Sequence, residues 1–128
     1  MKARGLVWLG ARTQNFDDTV RFFGDTLGLR AVYEEPDFTV FRLPNGDTVE
    51  VFGPGEGERE HFDNGPVVGF LVDDVARARV DFEPAGTTFI GPVHEADDGG
   101  SWSHFRGPDG NVYEITTPAP ERPRTLRR

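Results

Sequence analysis

Two acidic side chains occupy matching places in this chain. The segment Phe41 to Pro54, F-R-L-P-N-G-D-T-V-E-V-F-G-P, returns as Phe105 to Pro118, F-R-G-P-D-G-N-V-Y-E-I-T-T-P, at a constant offset of 64 residues. Phe, Arg, Pro, Gly, Glu and Pro stay in register, six identities in fourteen positions, which reads as two copies of one supersecondary unit. Glu50 and Glu114 are equivalent by that repeat. Two ionised carboxylates aimed into one partly desolvated hollow repel each other, so the pair calls for compensation. A divalent metal would supply it, or a bidentate pair with Arg12, Arg42 or Arg106. The third possibility is a proton held by one glutamate, which would make that residue a general acid or base.

The elements that must position these glutamates follow from periodicity. Gly5 to Arg12 alternates as a strand, and Asn15 offers an N-cap to a helix carrying Val20, Phe22, Phe23 and Leu27 before Gly28 stops it. Arg30 to Glu35, Phe38 to Leu43 and Thr48 to Phe52 are three further strand-like runs separated by turn residues. A stretch from Gly53 to Pro66, rich in Gly, Glu and Pro, reads as an exposed linker in which His61 is solvated. The pattern then restarts. Val67 to Val72 is a strand, Asp73-Asp74 caps a helix running to about Pro84, and Thr87 to Ile90, Ser101 to Arg106 and Asn111 to Thr116 are strands. The expected fold is α+β, with two βαβββ modules related by a pseudo-twofold axis and sheets curling around a central cavity. Module one spans 5–53, the linker 54–66 and module two 67–117, within a single domain 1–117. The remainder, 118–128, is a loosely packed Pro/Arg-rich tail.

Each helix must cover one face of its sheet, so the cleaner apolar set of each strand belongs under it. Those sets are Val7, Leu9 and Ala11; Val49 and Val51; Val68, Phe70 and Val72; Tyr113 and Ile115. The opposite face then presents Trp8, Glu50, Val67 and Glu114, with Arg12 farther along the first strand. Trp8 is either packing or a flat wall for a ring-bearing ligand. Trp102 alternates with His104 and Arg106 and is a wall or edge aromatic. His104 borders the cavity on its strand, and His94 lies in the loop after Ile90.

Composition narrows the chemistry. The chain has 128 residues, no cysteine and a net charge of −8, so thiolate and Cys-based metal sites are absent and only His, Asp and Glu remain as metal ligands. Residues 118–128 hold four arginines against one glutamate, which leaves −11 on residues 1–117. Such a body repels nucleic acid and anionic membranes and favours a cationic small ligand. Without a long apolar run or a leader, the expected location is the cytoplasm.

Three phrases resemble the vicinal oxygen chelate superfamily, which includes glyoxalase I, bleomycin- and fosfomycin-resistance proteins and extradiol dioxygenases. They are Arg21-Phe22-Phe23-Gly24-Asp25-Thr26-Leu27-Gly28-Leu29, Val72-Asp73-Asp74-Val75, and Phe105-Arg106-Gly107-Pro108-Asp109-Gly110-Asn111-Val112-Tyr113-Glu114. The resemblance covers Gly5 to Pro118. It implies metal ligands at four inward positions, which align with Trp8, Glu50, Val67 and Glu114. Two carboxylates stand there, but an indole and a valine replace the two histidines common in the family, and neither offers a metal a lone pair. The resemblance also implies a homodimer. The expected function is therefore binding or sequestration of an organic, ring-bearing and cationic ligand without a complete metal site, through Trp8, Arg12, Glu50, Val67, Trp102, His104 and Glu114. The alternative is a metal-dependent lyase, isomerase or dioxygenase with Glu50 and Glu114 as metal ligands or catalytic groups. Whether the chain is an enzyme stays open at this level.

Overall fold

Alternating apolar residues build the first strand, β1 (Leu6–Arg12), and a short helix α1 (Phe16–Arg21) follows. Asn15 sits at the N-cap, but its side chain does not cap; its carbonyl accepts from Thr19 N–H, and its own N–H donates to Thr13 Oγ1 at 2.9 Å. The helix widens into a π-type turn over Phe22–Thr26, where Leu27 N–H reaches back to the Phe22 carbonyl, and Gly28 ends it with φ +72°. Strands β2 (Arg30–Glu35), β3 (Phe38–Arg42) and β4 (Thr48–Phe52) complete the first unit. The second repeats the order with β5 (Val67–Leu71), α2 (Val75–Phe82), β6 (Thr88–Glu95), β7 (Ser101–Arg106) and β8 (Val112–Thr116). Here the expected cap forms: Asp74 Oδ1 accepts from Arg77 N–H at 3.0 Å. The computed structural model describes residues 1–55, 61–63 and 65–117. The 118–128 tail and part of the linker lie outside the described residues.

The eight strands form one sheet in the order β2-β3-β4-β1-β5-β8-β7-β6. Read outward from the centre, each half runs first strand, last strand, third, second, which is the arrangement expected of two modules related by a pseudo-twofold axis. The expectation that the sheets curl around a central cavity is overturned. Strands β2 and β6 are open edges that do not meet, and the modules join edge to edge through the antiparallel pair β1·β5. Each module places its first strand parallel beside its last (β1·β4 and β5·β8), so joining the first strands prolongs one open sheet rather than closing it.

The helices cover the faces that periodicity assigns them, except that Val7, expected under α1, packs with the Trp8 cluster on the other face, next to the register shift between Leu6 and Trp8. Phe41, Val49 and Val51 pack with Leu9, Phe16, Val20 and Phe23 under α1, while Val72, Val75, Ala78 and Ile115 pack with Phe70, Phe82 and Phe105 under α2. Strand β6 continues past its expected end at Ile90 to Glu95. A register shift between Ile90 and His94 absorbs Gly91 (φ +73°) and Pro92, which an edge strand tolerates, and His94 therefore lies on a strand and not in a loop.

The repeated F-R-x-P-x-G phrase is explained by its two hairpins. Leu43 and Gly107 each donate N–H across the turn, to Asp47 and Asn111, and Gly46 and Gly110 take φ of +92° and +83°. In each copy the preceding arginine holds the glycine carbonyl: Arg42 Nη1 to Gly46 O at 3.4 Å and Arg106 Nη1 to Gly110 O at 2.9 Å. Arg106→Ala should lower stability by about 0.5–1.5 kcal/mol, the usual net value of such a bond, seen as a lower urea midpoint with unchanged slope.

The second hairpin also carries a pH signature. Tyr113 Oη donates to Asp109 Oδ2 at 2.5 Å, a bond that lowers the Asp109 carboxyl from its usual range and raises the Tyr113 phenol above its own. The depressed acid stabilises the turn above its unfolded pKa, and that contribution is lost as pH falls through the folded value. The raised phenol does the reverse, its contribution fading as pH climbs through and above the ordinary tyrosine range. Protection factors of the Gly110 and Asn111 amides, exchange taken relative to the intrinsic rate at each pH, should therefore fall at both extremes, and Tyr113→Phe should abolish the alkaline fall.

Candidate functional site

The face of the sheet without helices carries the residues singled out by sequence. Parallel pairing sets Glu50 of β4 beside Gly10 of β1, and Glu114 of β8 beside Gly69 of β5, so each glutamate has a glycine as its inner neighbour. Both carboxyls are buried, Glu50 at 1% and Glu114 at 0% exposure. Trp8 of β1 pairs with Gly69, and Val67 of β5 pairs with Gly10. The two glycines are required by the tryptophan. A Cβ built on Gly10 would lie 2.0 Å from Trp8 Cη2, and one on Gly69 2.9 Å from Trp8 Cβ. The indole thus lies over bare backbone, on the ground between the two acidic columns.

Apolar side chains line this face. Trp8, Phe38, Val40, Phe52, Phe62, Val67 and Val112 form one buried cluster. Glu114 meets an imidazole on this face. Its Oε1 lies 3.0 Å from His104 Nε2 on the neighbouring strand β7, and His104 Nδ1 lies 3.0 Å from His61 Nε2. An ionised Glu114 accepts the Nε2–H of a neutral His104, which leaves Nδ1 as acceptor for the Nε2–H of His61. The result is a hydrogen-bonded line from a fully buried carboxylate through a buried imidazole to a half-buried one.

The remaining candidates separate into neighbours of the site and others. Trp102 is buried on β7 and stacks on His94, ring centroids 5.4 Å apart and 19° from parallel, with the His94 ring 6.1 Å from that of His104. Arg12 stands at the far end of β1, where Nη2 donates to the carbonyls of Pro54 and Gly55 at 3.0 and 3.1 Å and ties down the start of the linker. Sequence reading missed His61 and Phe62. Their stretch is not simply exposed: Phe62 is 4% exposed, its ring edge-on to Trp8, Phe52 and His104. The available signal was an adjacent pair of aromatic side chains within an otherwise Gly, Glu and Pro-rich segment.

The donor chemistry does not fit the divalent metal implied by the family resemblance. Of the four implied positions, Trp8 and Val67 lack a lone pair for a metal, and among the described residues no three His, Asp or Glu side chains are arranged to hold an ion. His104 is the nearest candidate third ligand, and both its ring nitrogens lie at hydrogen-bond distance from Glu114 and His61.

Comparisons with known proteins agree with this architecture. The solved structures similar to this chain include the Mn(II)-bound glyoxalase from Novosphingobium aromaticivorans, with 22% identity, TM-score 0.73, and 99% of this chain covered against 43% of that one. Methylmalonyl-CoA epimerase from Mycobacterium tuberculosis matches at 17% identity and TM-score 0.70, covering 93% of this chain and 91% of that one. A glyoxalase/bleomycin resistance protein/dioxygenase superfamily member from Vibrio splendidus 12B01 matches at 21% identity and TM-score 0.64, covering 88% and 99%. At such identities the likeness is one of fold. No curated protein matches the sequence. The family model for Glyoxalase/Bleomycin resistance protein/Dioxygenase superfamily matches residues 5–115, nearly the whole described chain, and the protein belongs to that superfamily.

Proposed function

We propose that this protein binds a small, ring-bearing organic molecule on the helix-free face, at Trp8, Val67, His104 and the two glutamates, without a divalent metal. The observation that carries the reading is the placement of Trp8, whose indole lies over Gly10 and Gly69 between two buried carboxyls. An aromatic surface flanked by acids favours a ligand that stacks and also carries positive charge or an N–H to donate. Within this reading the domain spans 1–117, Arg12 and Trp102 border the site, and the working form is a cytoplasmic homodimer that avoids nucleic acid through its acidic body.

The test is thermal-shift and calorimetric screening against ring-bearing amines and their neutral analogues. At least one class should raise the melting temperature, bind in the micromolar range and lose tenfold or more in affinity with Trp8→Leu; silence across the panel would overturn the proposal. Elemental analysis of untagged protein should find no stoichiometric divalent metal, and finding one would revive a metal-dependent lyase, isomerase or dioxygenase using Glu50 and Glu114.

One observation favours a second reading, metal-free acid–base catalysis. His104 and Glu114 at 3.0 Å form a dyad in which the carboxylate sets the tautomer of the imidazole. That activity would collapse in Glu114→Gln across its whole pH profile.

A further inference from the structure

We propose that Arg79, which stands on helix α2 across the sheet from the candidate site, is a positioning residue for that site: it selects the register of β6 that stacks His94 on Trp102 beside His104. The inference rests on the reading of the helix-free face as a binding site and names what fixes one wall of it.

Strand β6 carries surplus residues between two paired points. Ile90 stands opposite His104 and His94 opposite Trp102, so Gly91, Pro92 and Val93 face the single residue Ser103. A regular ladder continued from Ile90 would instead set Pro92 opposite Trp102 and His94 opposite Gly100. Because side chains alternate with a period of two, a shift of two residues keeps each of them on its own face. Val93 stays with the apolar cluster under α2 in either register, so burial of apolar surface does not choose between them. Nor does an outer strand, since β6 is the last of the sheet and pairs with β7 alone.

A bulge takes backbone groups out of the ladder, and they need other partners. Arg79 and Ser103 supply them. Arg79 Nη1 donates to Gly91 O at 2.7 Å and to Ser103 Oγ at 2.8 Å, and the buried Ser103 hydroxyl donates to Pro92 O at 3.4 Å. The bonds from the guanidinium are charge-assisted, the stronger kind. Its carbon lies 4.5 Å from the centre of the Phe89 ring, which seats it on the strand just before the bulge. Gly91, at φ +73°, permits the turn of the backbone, and the arginine ties that turn to the helix.

The consequence lies on the opposite face. With the bulge held, the His94 ring stacks on Trp102 with centroids 5.4 Å apart and comes within 6.1 Å of the His104 ring. In the regular register a pyrrolidine takes that place. A ligand beside His104 therefore meets an indole–imidazole wall whose make-up is set from the other side of the sheet.

Nuclear Overhauser cross-peaks test this in the ligand-free protein. The wild type should show them between the His94 and Trp102 rings. Arg79→Met, which keeps packing over Phe89 but removes the donors, should lose them and gain cross-peaks between Pro92 and Trp102. Arg79→Gln, too short to span both acceptors, should do the same. Arg77→Met, on the same helix but paired with Asp81, should leave the wild-type pattern unchanged. In a variant lacking Gly91 and Pro92, a regular ladder already sets His94 opposite Trp102, so Arg79→Met added there should change nothing. Either Arg79 variant, folded and keeping the wild-type cross-peaks, overturns the inference. Their loss in Arg77→Met, or on replacing Arg79 in the shortened variant, overturns it as well. No ligand enters these measurements, so their failure leaves the binding reading standing, while a silent ligand screen leaves the control of β6 by Arg79 standing.

Discussion

His104→Ala should destabilise the protein by about 3–5 kcal/mol, the cost of leaving a buried carboxylate without the imidazole that hydrogen-bonds it. Glu114 is fully buried, His104 is 4% exposed, and 3.0 Å separates His104 Nε2 from Glu114 Oε1. Water cannot readily take the place of the imidazole beneath Phe62, so the carboxylate keeps its desolvation penalty and loses a principal donor. Glu114→Gln should cost less, about 1–3 kcal/mol, because an amide oxygen still accepts from His104 and no charge is left behind. The double variant His104→Ala/Glu114→Gln should then be more stable than the sum of the single losses, with a coupling energy of about 1 kcal/mol or more. Urea unfolding of the four proteins measures the cycle. Strict additivity, or a loss below about 1 kcal/mol for His104→Ala, would mean that the pair is not a structural unit. The His61 contact predicts a local effect as well: loss of His104 should shift the ring resonances of His61.

The portion of this arrangement that could be read from sequence depended on locality. Alternation over five to seven residues places Val49, Val51, Leu9 and Ile115 under helices and leaves Trp8, Glu50, Val67 and Glu114 on the other face, and the structure keeps that division. The repeat was legible too, because its Phe-Arg-x-Pro-x-Gly turn is a local motif with a local cause, an arginine holding a glycine carbonyl. Other features are set by contacts between distant residues. Nothing near His61 in the chain indicates that it meets His104, which lies 43 residues away. Nor does strand periodicity say whether two modules close around a hollow or join edge to edge; that is decided by β1 pairing with β5. Irregularity hid the rest, since a strand that shifts register at Gly91 and Pro92 no longer alternates and so reads as ending at Ile90.

Gly10→Ala should be a damaging single-methyl change, at about 1–3 kcal/mol, with the tightest clash of any described glycine, and its effect should depend on Trp8. The new Cβ would sit 2.0 Å from Cη2 and 2.7 Å from both Cζ2 and Cζ3 of the indole, far inside any tolerated contact. Gly10 is not among the glycines with positive φ, so the penalty is steric and not conformational. Trp8 must then leave its rotamer, yet it is walled by Phe62 and borders Gly69, where added bulk would in turn meet Trp8 Cβ at 2.9 Å and Glu114 Oε2 at 3.2 Å. Trp8→Leu removes the ring atoms that collide, so Gly10→Ala added to that background should cost less than about 0.5 kcal/mol beyond Trp8→Leu alone. Thermal or urea unfolding provides the energies, and near-ultraviolet circular dichroism of the indole reports whether the ring has moved. A full penalty in the Trp8→Leu background would place the strain elsewhere in β1. Recovery would establish that Gly10 is bare because the tryptophan needs the ground above it, which is the same ground on which the proposed ligand ring is expected to stack.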